Sequence, residues 1–166
     1  VNLLDPAIPL CFDTSAIFGV RQGPALLRDV RKRFPERELI LPAWVIAERV
    51  RQLRSQMGLR FDPQVIRAFL SDAELNLRLA EFNADAALTG WLAVTSDLPG
   101  LWGWEGLTHA VERPCAQRCR SGDYFVAAIA ASHGAILVTD DHGLRQQMQS
   151  VLRGCVSSNQ LRENLN

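Results

Sequence analysis

At 166 residues and 18.5 kDa the chain falls within the range of one domain that can bury a core of its own. Nearly half of its residues are apolar (48%), and 18 basic residues balance 18 acidic ones, a composition that excludes a disordered or membrane-embedded class. No apolar run approaches a membrane span, Asp5 and Pro6 interrupt the start where a signal peptide would need an apolar core, and four cysteines are too few for a disulfide framework, so a cytoplasmic protein with reduced thiols is expected.

In chain order, Ile8 to Phe12 is a short apolar run ending at Asp13, a buried first strand that breaks where Thr14 and Ser15 can cap a helix. Ala25, Leu26, Leu27, Val30 and Phe34 predict an amphipathic helix from Pro24 to Phe34 with a basic outer face. Glu38 to Leu41 is the second strand. Pro42 suits the first turn of the next helix, whose stripe is Ala43, Ile46, Ala47, Val50 and Leu53 and which Gly58 ends. From Asp62 to about Val94 the periodicity stays helical, with Val65, Ile66, Phe69 and Leu70, then Leu75, Leu79, Phe82, Ala86, Leu88 and Leu92 inward; breaks near Ser71 and Asn83 predict two or three helices. A turn-rich section with Trp102 and Trp104 follows. Ser121 can cap the helix Gly122 to His133, apolar nearly all round as a buried helix requires, and Gly134 stops it. Ala135 to Thr139 is a strand, Leu144 to Leu152 a helix, and Cys155 and Val156 a short final strand. Strands alternating with helices imply a mostly parallel sheet covered on both faces.

Acids recur where these strands end or helices begin: Asp13, Glu48, Asp123, and the pair Asp140 and Asp141. In an α/β chain such positions converge on one crevice, and clustered carboxylates are tolerable there chiefly when a hard divalent cation neutralises them. Each also has a structural reading. Asp13 can cap a helix, Asp123 suits a first helical turn, and Glu48 lies off the apolar stripe beside Trp44, where it could face water and pair with Arg51. Either Asp140 or Asp141 can cap the next helix while the other points inward. His142 reads as an exposed polar residue. Cys115, Cys119 and His109 lack a fourth ligand and fit no common zinc spacing.

Neutral overall charge conceals a separation of signs. Arg28, Arg31, Lys32, Arg33 and Arg37 form one basic run, Arg49, Arg51 and Arg54 a second, and Arg113, Arg118 and Arg120 a third. Arginine grips phosphate oxygens in pairs, yet each run can equally be a solvated helix face.

Taken together, the strand ending in Asp13-Thr-Ser, the helix bearing Glu48, the segment Asp123-Tyr-Phe-Val-Ala-Ala-Ile-Ala-Ala and the strand-turn Leu137-Val-Thr-Asp-Asp-His-Gly-Leu144 resemble a PIN domain, the small ribonuclease fold of VapC-type toxins. The resemblance implies a three-layer α/β/α fold with a central, mostly parallel sheet: a single domain over residues 1–166, core about 8–158, with a longer helical, tryptophan-containing insertion about 83–120. It further implies Asp13, Glu48, Asp123 and Asp141 as catalytic, metal-holding acids, since many members place the last acid two positions after the threonine. The activity implied is hydrolysis of RNA phosphodiesters by water activated at Mg²⁺ or Mn²⁺, with Thr14, Ser15 and Thr139 orienting carboxylates. The partners implied are an RNA substrate, a cognate antitoxin and a second copy of the chain, with Trp102 and Trp104 either packed inside or at an interface. A PIN-fold module that binds RNA or protein without cutting is the alternative. Leu144 stands where the family often carries an aromatic residue.

Overall fold

The computed structural model describes residues 2–18, 23–95 and 121–165. The first half of the chain gives β1 (Leu10–Phe12), α1 (Thr14–Phe18), α2 (Gly23–Arg33), β2 (Leu39–Pro42), α3 (Ala43–Met57), a 3₁₀ turn (Gly58–Arg60) and α4 (Gln64–Leu70). Then come β3 (Leu77–Ala80), a π-helical segment (Ala86–Trp91) and α5 (Leu92–Thr95). The final part gives α6 (Ser121–Ser132), β4 (Ile136–Val138), α7 (His142–Met148), β5 (Gly154–Val156) and α8 (Ser158–Leu165). The section holding Trp102, Trp104, Cys115, Cys119, His109 and the third basic run lies outside the described residues.

The five strands form one parallel sheet in the order β3-β2-β1-β4-β5, flanked by helices, the α/β architecture expected. Central strands are buried on both faces, which is why β1, β2 and β4 read as unbroken apolar runs rather than alternating ones. Residues 124–130 of α6 are buried all round because the helix packs on β1, on α3 and on the π-helical segment at once. At Gly90 that packing is backbone against backbone: a Cβ would stand 1.9 Å from the Ala128 carbonyl oxygen, so only glycine fits.

Several expectations change in three dimensions. The helical reading of 62–94 hides an edge strand: Leu75, Leu79 and Phe82 share a helical spacing, but Asn76 adopts a left-handed φ of 43° and turns the chain into β3. Val65, Leu79 and Leu88, expected inward, are exposed. The apolar face of α3 centres on Val45, while Ala43 and Ala47 face solvent, and Pro42 both ends β2 opposite Ala80 and stands at the N-cap of the helix, one position ahead of its first turn. α7 begins at His142 and stops at Met148, ahead of the range expected. α8 was not expected at all, although Ser157 and Gln160 form a reciprocal cap, each side chain bonding the other's backbone N–H at 3.1 and 2.8 Å.

The first basic run is largely structural rather than a phosphate grip. Arg37 is fully buried, donating Nε to the Ile8 carbonyl at 2.9 Å and Nη1 to the Leu3 carbonyl at 2.6 Å, so it pins the N-terminal segment to β2. Arg31 donates to the carbonyls of Leu75 (2.9 Å), Asn76 (3.2 Å) and Arg37 (2.9 Å), tying α2 to the turn before β3. Arg28 pairs with Asp72 at 3.4 Å, and Arg33 lies over Phe34.

Candidate active site

Strand order reverses between β1 and β4, because β2 and β3 extend the sheet to one side of β1 and β4 and β5 to the other. In open α/β sheets such a reversal splays the loops at the carboxyl ends of the strands and opens a crevice there. Asp13 directly follows β1, and its N–H bonds the Val138 carbonyl at 2.9 Å; Thr139, Asp140 and Asp141 directly follow β4.

Asp13 is 4% exposed. Its Oδ2 accepts from the Thr139 hydroxyl (2.8 Å), the Ser15 hydroxyl (2.6 Å) and the Ser15 N–H (3.3 Å), while among the described residues no donor reaches Oδ1. One oxygen is clamped, and the other has no donor among the described residues. The carboxylate also sits at the head of α1, whose Ala16 and Ile17 N–H groups bond the Asp13 carbonyl, so the capping and functional readings of this residue coexist.

Glu48 is half-buried rather than turned to water, and it makes no pair with Arg51. With the α3 face centred on Val45, a residue three positions on turns toward the sheet. There its Oε2 accepts the Thr14 hydroxyl at 2.6 Å, which joins Glu48 to the residue beside Asp13.

Asp123 stands in the first turn of α6 and is half-buried. α6 reaches β4 through residues 133–135 alone, so it runs antiparallel to that strand and its first turn lies at the strands' carboxyl ends. A second observation agrees: a Cβ at Gly122 would stand 2.0 Å from the indole Nε1 of Trp44, in the first turn of α3 directly after β2. Trp44 also stacks on Phe125 with ring centroids 5.2 Å apart, and Phe125 packs on Phe82 and Trp91, so an aromatic cluster locks α6 against α3.

The two adjacent acids divide their tasks. Asp140 is exposed, and both its oxygens are engaged at the head of α8, with the Ser158 N–H at 2.9 Å and the Ser158 hydroxyl at 2.7 Å. Asp141 is half-buried and caps α7 through Oδ1, which accepts the Leu144 N–H at 2.9 Å. Its own N–H bonds the Thr139 hydroxyl at 3.1 Å, the group that also holds Asp13. His142 is exposed. Arg145, which the sequence did not single out, donates to the Thr139 carbonyl at 2.7 Å and secures the end of β4.

Among the described residues no three His, Cys, Asp or Glu side chains close into a ready-made metal cage. The donor set nonetheless fits a hard cation. Mg²⁺ keeps several waters and is held through one or two carboxylates, and every acid here is an oxygen donor. Among the described residues no lysine, arginine or histidine pairs with Asp13, Glu48 or Asp141, so the buried Asp13 charge has hydroxyl donors but no countercharge. The neighbouring thiols do not compete: burial, and then the Asp13 charge, push the Cys11 pKa far up, and burial above all pushes Cys155 up to about 12 despite Arg145.

The PIN domain profile matches residues 10–147 of the chain, a span that runs from β1 through α7. The crystal structure of PAE2754 from Pyrobaculum aerophilum is similar to this chain with a TM-score of 0.54 at 16% identity, over 99% of this chain and 94% of that one. No curated protein matches. Fold and profile agree, and the chain belongs to the PIN domain family, whose members are generally nucleases that use divalent metals.

Proposed function

We propose that this protein is a Mg²⁺- or Mn²⁺-dependent endoribonuclease and the toxin of a toxin–antitoxin pair. The observation that carries the nuclease reading is the Asp13 carboxylate: buried at the sheet's reversal point, clamped through one oxygen, with no donor to the other among the described residues. Asp13, Glu48, Asp123 and Asp141 would hold the ion, directly or through water, and Asp141 is preferred to Asp140 because Asp140 has both oxygens committed to Ser158. Bound there, a divalent ion supplies Lewis-acid polarisation of a phosphodiester and lowers the pKa of its attacking water. The chain's own part is positional. Thr139 and Ser15 set the plane of Asp13, Thr14 sets Glu48, and the aromatic cluster under Trp44 sets the first turn of α6.

The test is cleavage of mixed single-stranded and structured RNA with Mg²⁺ or Mn²⁺, with a chelator as control, for the wild type, Asp13→Asn and Asp123→Asn. Metal-dependent cleavage lost in both variants is the expected result. Equal traces for all three proteins would leave the alternative, a PIN-fold module that binds without cutting. The toxin role has its own readout: expression should arrest growth, and co-expression of a small antitoxin encoded beside it should relieve the arrest. A homodimer is proposed on family grounds and is read by light scattering.

A further inference from the structure

Of the basic runs, the one on α3 is not used up by the fold. Arg51, Arg54, Arg60 and Arg67 are exposed, and among the described residues no ion pair, hydrogen bond or ring contact engages their guanidinium groups. Arg49 differs from them: it lies over the Phe18 ring and bonds Gln52 at 3.4 Å. Over residues 49–71 there are five arginines and a single carboxylate, Asp62, whose Oδ1 takes the Gln64 N–H. The whole chain is neutral, so the remainder, acid site included, carries the opposite excess.

That separation poses a physical problem for the proposed substrate. A crevice of carboxylates repels a polyanion, and attraction must come from elsewhere on the surface. α3 supplies it next door: Arg51 and Arg54 lie about 4.5 and about 9 Å along the helix axis from Glu48 at the usual helical rise. Arg60, in the 3₁₀ turn, and Arg67, on α4, are the next arginines along the chain. Between them, Met57, Leu59 and Val65 are exposed, and a cleft of about 350 Å³ is lined by Val50, Arg54, Gly58, Leu59, Phe61 and Pro63. Guanidinium groups for phosphates with apolar surface for unstacked bases is the combination a single strand needs. A second copy docking through this face would set the same cations against each other, which disfavours a symmetric dimer here.

We infer that the arm made by α3, the 3₁₀ turn and α4 is a sequence-independent track for single-stranded RNA, gripped by Arg51, Arg54, Arg60 and Arg67 and leading to Glu48. The ligand class rests on the nuclease reading; the track itself is tested without catalysis. Full-length protein in chelator is titrated with a fluorescent oligouridylate of about 12 nucleotides, and anisotropy is followed from roughly 50 to 200 mM salt, where phosphate contacts dominate the salt dependence. Each phosphate contact on a single strand contributes about 0.7 to the slope of log K against log salt, so the four-fold alanine variant should lose about 2.8. The four-fold lysine variant should keep most of the slope, and oligoadenylate should bind about as well as oligouridylate. A four-fold alanine variant with the wild-type slope overturns the track. So does binding of an acidic, leucine-bearing peptide where oligouridylate does not bind, which would make the arm a protein-docking face. Arm-dependent binding without any metal-dependent cleavage upholds the track while ending the nuclease reading. Cleavage indifferent to the four alanines ends the track and spares the nuclease.

Discussion

Replacing Thr139 by valine removes one hydroxyl from the centre of the site. Thr139 is fully buried, and its hydroxyl donates to Asp13 Oδ2 at 2.8 Å, accepts the Asp141 N–H at 3.1 Å and stands 3.1 Å from the Ser15 hydroxyl. A hydrogen bond to a carboxylate is worth about 1.5–3 kcal/mol and the orphaned N–H adds about 1, so the valine variant should lose about 3 kcal/mol. For a chain of this length that lowers Tm by roughly 6–12 °C. Because Asp13 would then keep only the two Ser15 donors on Oδ2, the Mg²⁺ concentration for half-maximal cleavage should rise about 10- to 100-fold. Thr139→Ser is the discriminating control: it keeps the hydroxyl and loses one buried methyl, about 1 kcal/mol. Calorimetry and a Mg²⁺ titration of RNA cleavage read both quantities. If serine is as damaging as valine, the residue acts by packing. If valine leaves the Mg²⁺ requirement unmoved, Thr139 does not orient Asp13, and the account of the site is wrong.

Further outcomes follow from the same geometry. Asp140→Ala should cost about 1 kcal/mol by removing the side chain that holds Ser158, yet leave cleavage within a few-fold, whereas Asp141→Asn should abolish cleavage; the opposite ranking in an RNA assay would reverse the assignment of the last acid. Gly122→Ala drives a Cβ to within 2.0 Å of the Trp44 indole and should cost about 1–3 kcal/mol, with loss of the near-ultraviolet signal of the Trp44–Phe125 stack. An unchanged melt would show that Trp44 does not hold the head of α6. The Cys155 thiol titrates near 9.0 when unfolded and about 12 when folded, so the folded state binds more protons in between and stability should fall as pH rises across that window. Cys155→Ser should flatten the fall in denaturation midpoints from about pH 9 to 12, and parallel curves for the two proteins would contradict the assignment.

What the amino-acid order determined by itself is local or additive. Apolar runs ending at Phe12 and Val138 read as strands buried on both faces and the Tyr124–Ala130 stretch as a core helix, as the structure has them, and Gly58 and Gly134 end helices where expected. Asp13 directly after β1, Asp123 in a first helical turn and Asp141 soon after β4 stand out in the sequence as acids at element ends, Glu48 lies one turn further into its helix, and the hydroxyls of Thr14, Ser15 and Thr139 beside them are available as donors.

Only the tertiary structure decided what depends on a distant partner. β3 exists because β2 offers it an edge, a pairing that no periodicity in Leu75, Leu79 and Phe82 can encode. Asp140 and Asp141 are adjacent and chemically alike, and Ser158, brought in by β5, separates their tasks. Arg31 and Arg51 look the same in sequence, but carbonyls of the turn before β3 consume the first, and among the described residues nothing consumes the second. Residue type and spacing set which groups can act; the order of strands in the sheet, a long-range property of backbone pairing and packing, sets which of them meet.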